Sequence, residues 1–259
     1  FKRPDLMIIA LHGFTGRGSD FAPLEKRIKD DWFCPDLPGH GPKPSSDCSP
    51  EATSQFVGRL HTQHKAHNLG PNILLGYSMG ARAALFHTLE NRKAWDALVL
   101  ISSNPGIEDP EAQQVRIKND EILARKIEED GVKDFLNYWI ETPLIKSQKD
   151  LRLEFRQRMQ KARAEHTAIG LATSLRQFGQ GSCPNLWPRI KELELPVLLI
   201  TGGLDSKYTQ ISKQLLHEIN SEDRLLAQHV VIEGASHMPH LENLEESAAA
   251  IDDFLLTFS

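Results

Sequence analysis

Asn72-Ile73-Leu74-Leu75-Gly76-Tyr77-Ser78-Met79-Gly80-Ala81-Arg82-Ala83-Ala84-Leu85 joins a short apolar run to a stretch of good helix formers through Gly-x-Ser-x-Gly. A serine on such a strand-to-helix turn needs small neighbours because the backbone is crowded there, and the turn lifts its Oγ above the sheet. The pentapeptide alone recurs by chance, so its weight comes from the strand before it and the helix after it.

Further apolar runs, Leu6 to Leu11, Ala97 to Ile101, Val197 to Thr201 and His229 to Ile232, surround this stretch in the chain. Each is nearly uniformly apolar and leads into Gly, Ser or Asn, the pattern of buried parallel strands running into loops at one sheet edge. Helical patterns lie between them. In Pro50 to Leu69, Ser49 can cap, Pro50 suits the first turn, and Ala52, Phe56 and Leu60 recur every four residues. Near the end, Asn243 with Glu246 resembles a capping box before the stripe Leu244, Ala248, Ile251 and Leu255. Alternation of this kind predicts an α/β protein with a doubly wound, mostly parallel sheet. Residues 107–190 break the rhythm with charged helical sequence and are expected to form a helical cap, inserted into a core made of residues 1–106 and 191–259. Gly179 to Pro184 is a loop candidate at which that cap turns.

Two residues complete a catalytic set with Ser78. Asp205 follows the run Val197 to Thr201 through Gly202-Gly203-Leu204, and His237 follows Val230 to Ile232 through Glu233-Gly234-Ala235-Ser236. Both emerge at the edge that carries Ser78, in the chain order Ser, Asp, His of the α/β-hydrolase fold. A neutral hydroxyl is a weak nucleophile or base, so His237 must accept its proton while Asp205 holds the imidazole tautomer. Singly, Asp205 reads as a helix cap and His237 as a loop histidine; their joint placement is what points to chemistry. His12-Gly13-Phe14 after the first strand suggests an oxyanion hole built from the backbone N–H groups of Phe14 and Met79. The loop Asp36 to Gly41 at the same edge reads as structural.

Composition narrows the partners. The 259 residues suffice for one sizeable core, and 30 Lys and Arg against 35 Asp and Glu give a net charge of −5, which argues against a general polyanion or nucleic-acid partner. Cys34, Cys48 and Cys183 are odd in number and widely spaced, which fits reduced thiols and a cytoplasmic setting. No run is long enough to span a membrane and no signal-peptide pattern opens the chain; Phe1 is not an initiator Met, so further N-terminal residues are expected. His61, His64 and His67 share a helical spacing but lack carboxylate partners, and no metal site is expected there. A monomer or weak homo-oligomer is expected.

At this point the chain resembles the 2-succinyl-6-hydroxy-2,4-cyclohexadiene-1-carboxylate synthases of menaquinone and phylloquinone biosynthesis, over essentially its whole length. The resemblance rests on His12-Gly13-Phe14, Gly76 to Arg82, Asn104-Pro105-Gly106-Ile107, Ser174-Leu175-Arg176, Gly179-Gln180-Gly181 with Pro184 to Trp187, and Gly203 to Tyr208. It implies a lyase that eliminates pyruvate from 2-succinyl-5-enolpyruvyl-6-hydroxy-3-cyclohexene-1-carboxylate, with Ser78 as the proton-abstracting base and no metal or organic cofactor. A substrate with several carboxylates calls for arginines, whose planar fork binds carboxylate through two parallel hydrogen bonds. Arg82, one helical turn after Ser78, is by resemblance a substrate clamp. Arg116 and Arg158 match the family's other substrate arginines, with Arg163 an alternative to Arg158. Tyr77 and Trp139 are candidates for the pocket wall.

Lys146 to His166 holds seven Lys or Arg against three Asp or Glu, a basic stretch that would draw in an anion or merely form a solvated face. Ala81 departs from the family, which usually has a second glycine there, and local tightening is expected. Two other readings stay open: a serine hydrolase with the same triad, either an esterase or a carbon–carbon bond hydrolase, and a ligand-binding protein without activity.

Overall fold

The apolar runs become strands because both of their faces are covered. The computed structural model describes residues 6–43, 45–65, 70–221 and 223–258. Among these, β1 (Met7–Leu11), β2 (Asp31–Phe33), β3 (Asn72–Tyr77), β4 (Ala97–Ile101), β5 (Val197–Gly202) and β6 (Ala227–Ile232) form one sheet in the order β2-β1-β3-β4-β5-β6. Every pairing is parallel. The four central strands are buried throughout, whereas β2 and β6 at the edges are partly exposed. β2 is the strand that the sequence reading missed: three residues, Asp31-Trp32-Phe33, carry too short a pattern to register.

Helices α1 (Ala22–Arg27), α2 (Pro50–Lys65) and α3 (Met79–Glu90) precede β4; α7 (Ser206–Ile219), α8 (Pro239–Glu242) and α9 (Leu244–Leu255) follow β5. Val57 and Leu60 of α2, Leu85 of α3 and Leu215 of α7 pack on one face of the sheet with Ile9, Leu74 and Leu199. Leu24 of α1 and Ile251 of α9 pack on the other, with Ile8, Leu75 and Ile200. Local signals set the ends: Ser49 Oγ accepts from Ala52 N at 3.2 Å before α2, and Asn243 caps α9 through Glu246 N. The expected tail of α2 at residues 66–69 lies outside the described residues.

Between β4 and β5 the chain forms α4 (Pro110–Trp139), α5 (Leu153–Arg163) and α6 (Ala168–Phe178), with short 3-10 turns. Ala124, Ile127 and Phe135 of α4 meet Leu171, Ala172 and Leu175 of α6 in a small apolar core of their own. α4 breaks at Gly131, whose φ of 79° is left-handed backbone that favours glycine. The segment after the break therefore takes a new direction and carries Trp139 at its end.

The sheet order turns back between β1 and β3, and the crevice beyond their carboxyl ends is where open α/β sheets bind ligands. α3 starts in that crevice, pressed against β1. A Cβ on Gly80 would lie 2.0 Å from the Leu11 carbonyl oxygen, so only glycine lets the helix come this close. Gly80→Ala is accordingly expected to cost about 3 kcal/mol or more, seen as a large drop in Tm or loss of soluble protein; a Tm near that of the wild type would show that α3 can back away from β1.

Candidate active site

Ser78 sits at the junction of β3 and α3 with φ 52° and ψ −109°, a conformation that a non-glycine residue holds only when its surroundings impose it. Its N–H donates to Ile101 O at 2.9 Å, which ties the turn to β4. Ser78 Oγ lies 3.1 Å from His237 Nε2, and His237 Nδ1 lies 2.7 Å from Asp205 Oδ2. A carboxylate only accepts, so Nδ1 carries the proton and Nε2 is free to take one from Ser78. Asp205 is held in turn as the cap of α7, accepting Tyr208 N at 3.2 Å through Oδ1. The His237 carbonyl accepts from Ser102 Oγ at 2.9 Å, the Tyr208 ring stands 4.4 Å from the imidazole, and His237 is 1% exposed. These residues come from the ends of three different strands, so the sheet sets their spacing.

Phe14 and Met79 both border the same cavity as Ser78. Among the described residues, neither of their backbone N–H groups has a backbone acceptor, so both are available to a developing oxyanion. The loop carrying Phe14 is held by histidines. His12 Nδ1 is 2.8 Å from Gly13 O, and its Nε2 accepts Leu37 N at 2.9 Å. His40 Nε2 accepts Thr15 N at 3.3 Å; His166 Nδ1 accepts Gly41 N at 2.8 Å, with its Nε2 3.0 Å from Thr15 O. Burial pushes His12 and His166 down to about 4, and burial first, then the neighbouring His12 and His166, hold His40 well below its ordinary value. The three rings are neutral and bridge the β1 loop, the Asp36 to Gly41 loop and the chain after α5.

The cavity has a volume of about 220 Å³. Tyr77 and Trp139 line it, Trp139 lying edge-on to Phe14 at 5.6 Å and stacked on Phe135. Arg82 and Arg116 face it as well. Arg82 is 7% exposed, donates to Phe178 O at 3.3 Å with the Cys183 thiol also beside it, leaves its Nε without a partner, and has no carboxylate of the described residues within ion-pair distance. A buried guanidinium left in this state is a standing demand for an anion. Arg116 is anchored by Asp120 at 2.7 Å and by Gln180 at 2.8 Å, which aims its remaining donors.

Arg158 is the residue that the structure moves away from the cavity. It lies over the Phe155 ring at 5.7 Å and does not line the space in front of Ser78, whereas Arg163, one and a half turns later on α5, does. Arg163 NH1 donates to Gln148 at 3.0 Å and the side chain is 8% exposed. Spacing alone could not separate these two, because which face of α5 turns inward depends on how α5 packs. Lys207, Gln148 and Asp20 also border the cavity and were not singled out from sequence. Lys207 stands in the stretch Gly203 to Tyr208 and was within reach; Asp20 carried no signal beyond that of a turn. Ala81 is fully buried within α3. His61 packs on Trp95 at 4.6 Å and His64 on Phe33 at 4.0 Å, while His67 lies outside the described residues.

Comparison with known proteins agrees with this fold. The model of the alpha/beta hydrolase family matches residues 8–250. The putative 2-succinyl-6-hydroxy-2,4-cyclohexadiene-1-carboxylate synthase of Bacillus subtilis (strain 168) is 32% identical over 253 residues, covering 96% of this chain and 89% of that protein. The structure of MenH from S. aureus superposes with a TM-score of 0.89 at 28% identity, covering 99% of this chain and 95% of the other. An esterase from Thermogutta terrifontis, 20% identical with a TM-score of 0.80 over 99% of this chain and 92% of its own, shares the fold.

The buried histidines make stability depend on pH. Unfolded, their pKa is near 6.5, whereas folded His12 and His166 titrate at about 4, so between these values the unfolded chain binds more protons. Their contribution is complete above pH 6.5 and is lost as the pH falls towards 4. Tm is expected to decline over this window in thermal melts; a flat Tm would mean that the rings are charged or solvated in the folded state.

Proposed function

Since the chain belongs to the alpha/beta hydrolase family, and within it to the 2-succinyl-6-hydroxy-2,4-cyclohexadiene-1-carboxylate synthases, we propose how its residues divide the work of that reaction. The enzyme is a lyase that eliminates pyruvate from 2-succinyl-5-enolpyruvyl-6-hydroxy-3-cyclohexene-1-carboxylate. The observation that carries the assignment of roles is the triad geometry beside a buried, uncompensated Arg82.

The names of substrate and product define the electron movement. A ring double bond at carbon 3 becomes a pair at carbons 2 and 4, so the proton leaves carbon 2 and the enolpyruvyl oxygen leaves carbon 5. His237 Nε2 accepts the Ser78 proton as Ser78 Oγ takes the proton from carbon 2. The C–H electrons form the bond between carbons 2 and 3, the old double bond shifts to carbons 4 and 5, and the C–O bond breaks. The departing enolpyruvate takes up one proton on becoming pyruvate, which balances the proton removed from carbon 2. Carbon 2 bears the succinyl ketone, whose oxygen gains negative charge as the proton leaves. The N–H groups of Phe14 and Met79 supply donors for it. No serine-bound intermediate is needed, so the triad serves as a relay for one proton.

The substrate is anionic through its carboxylates, and Arg82, Arg116 and Arg163, with Lys207 at the rim, are the cations assigned to them. Tyr77 and Trp139 supply apolar wall for the ring. The helices between β4 and β5 act as a cap that closes the crevice over the substrate, set on the core of residues 1–106 and 191–259. Among the described residues no helix is long and apolar enough to cross a membrane. The three cysteines are unpaired, which supports a cytoplasmic setting, and a monomer or weak homo-oligomer is the proposed state.

Ser78→Ala and His237→Ala should each reduce pyruvate release from the enolpyruvyl substrate by roughly 10³-fold or more while leaving Tm near that of the wild type. Ser78→Ala with near-full activity would refute the relay. Arg82→Ala should raise KM and lower kcat together. Arg163→Ala should weaken kcat/KM by roughly 10- to 100-fold and Arg158→Ala by under about threefold; the reverse ranking in steady-state kinetics would return the cap arginine's role to Arg158.

A further inference from the structure

Asp20 is a carboxylate on the wall of a cavity otherwise furnished for anions, and the reaction as described makes no use of it. It belongs to the short 3-10 turn Gly18–Phe21, is 2% exposed, and borders the cavity alongside Ser78, Arg82 and Arg163. Its two oxygens differ. Oδ2 accepts Arg17 N at 3.3 Å, which closes the turn; Oδ1 is buried and has no partner among the described residues. Burial raises the Asp20 pKa, while the Arg163 charge, the Arg17 N–H and the Arg158 charge pull it down. A buried acceptor without a donor is costly, and the cost falls when a ligand brings the donor.

We propose that Asp20 is a specificity-determining residue whose Oδ1 accepts a hydrogen bond from the ring hydroxyl of the ligand. The inference rests on the synthase reading, because the chemistry of that ligand selects the donor. Substrate and product carry carboxylates and a ketone, which only accept, and the 6-hydroxyl group is the donor that both share. The protein side is complementary: Arg82, Arg116, Arg163 and Gln148 offer N–H groups for the acceptors, and Asp20 supplies the acceptor that they lack. A site built to bond a hydroxyl rejects an analogue without one, since its own polar group is then left unpaired. Asp20 also stands beside Arg163, so it opposes capture of any carboxylate that would sit at the hydroxyl position.

The product minus one water is 2-succinylbenzoate, which keeps both carboxylates and lacks the hydroxyl, so the pair tests the claim as competitive inhibitors. Asp20→Asn keeps the turn, because its carboxamide oxygen can accept Arg17 N; the NH2 group then stands where Oδ1 stood, a donor in place of an acceptor. The wild type should prefer product to 2-succinylbenzoate by roughly 10- to 100-fold in Ki, and in Asp20→Asn the preference should fall to within about threefold. A wild type that binds the two alike overturns the proposal even if the variant does not fold. A preference kept in a folded Asp20→Asn overturns it as well, and would mark Asp20 as a donor or a purely structural group. Failure of the underlying reading looks different, since the wild type would then release no pyruvate from the enolpyruvyl substrate.

Discussion

The approach of α3 to β1 is the contact on which the site depends. Because Gly80 has no side chain, the first turn of the helix lies against the Leu11 carbonyl, and Ser78 is driven into its positive φ at the junction. That conformation brings Oγ within 3.1 Å of His237 Nε2, at a cavity that Met79 and Phe14 also line. The hydrogen bond from Ser78 N to Ile101 O carries the constraint to β4, and Ser102 continues it to the His237 carbonyl. A rigid parallel sheet thus spaces Ser78, His237 and Asp205 before any ligand arrives, and in the proposed proton relay such preorganisation avoids rearrangement during the reaction.

Charge organises the opposite wall. The chain is net negative, yet the cavity gathers Arg82, Arg116, Arg163 and Lys207 with Asp20 as the carboxylate among its lining residues. Other arginines at the surface are neutralised: Arg176 by Glu121 and Glu128, Arg189 by Glu192 and Glu90. Exposed pairs of that kind contribute little to stability. Among the described residues Arg82 has no such partner, and it is buried, so its charge is available where water is scarce and electrostatic interactions are strong. The helices between β4 and β5 are tied to the rest of the chain through polar contacts. Arg17 bonds Asp36, Ala162 O and Glu165, while Glu242 bonds Ser147 and the backbone of Ser236, next to His237.

Much of this was legible along the chain because it is local. The sequence around Ser78 contains a strand, a turn and a helix within fourteen residues, and Asp205 and His237 each follow an apolar run by a few residues. Ser49 and Asn243 cap the helices that they precede. What escaped was of two kinds. β2 is a three-residue edge strand that exists through its pairing with β1, so its own pattern is weak. Gln148 and Asp20 reach the cavity only through the way the turns near α5 and β1 pack on the core, with no spacing rule relating them to Ser78, and the same packing is why Arg163 could be named only as an alternative to Arg158.

The sequence by itself thus determined the class of fold and the order of the chemical groups, because hydrophobic periodicity and turn residues act over a few positions and parallel strands must deliver their loops to one edge. Tertiary structure decided which cations meet in front of Ser78, which histidines are buried and neutral, and which carboxylate oxygen is left without a donor. Those outcomes depend on desolvation and on contacts between residues far apart in the chain, as between Arg82 and Phe178 or Thr15 and His166. A side chain's neighbours, more than its type, set what its charge or hydrogen-bonding group can do.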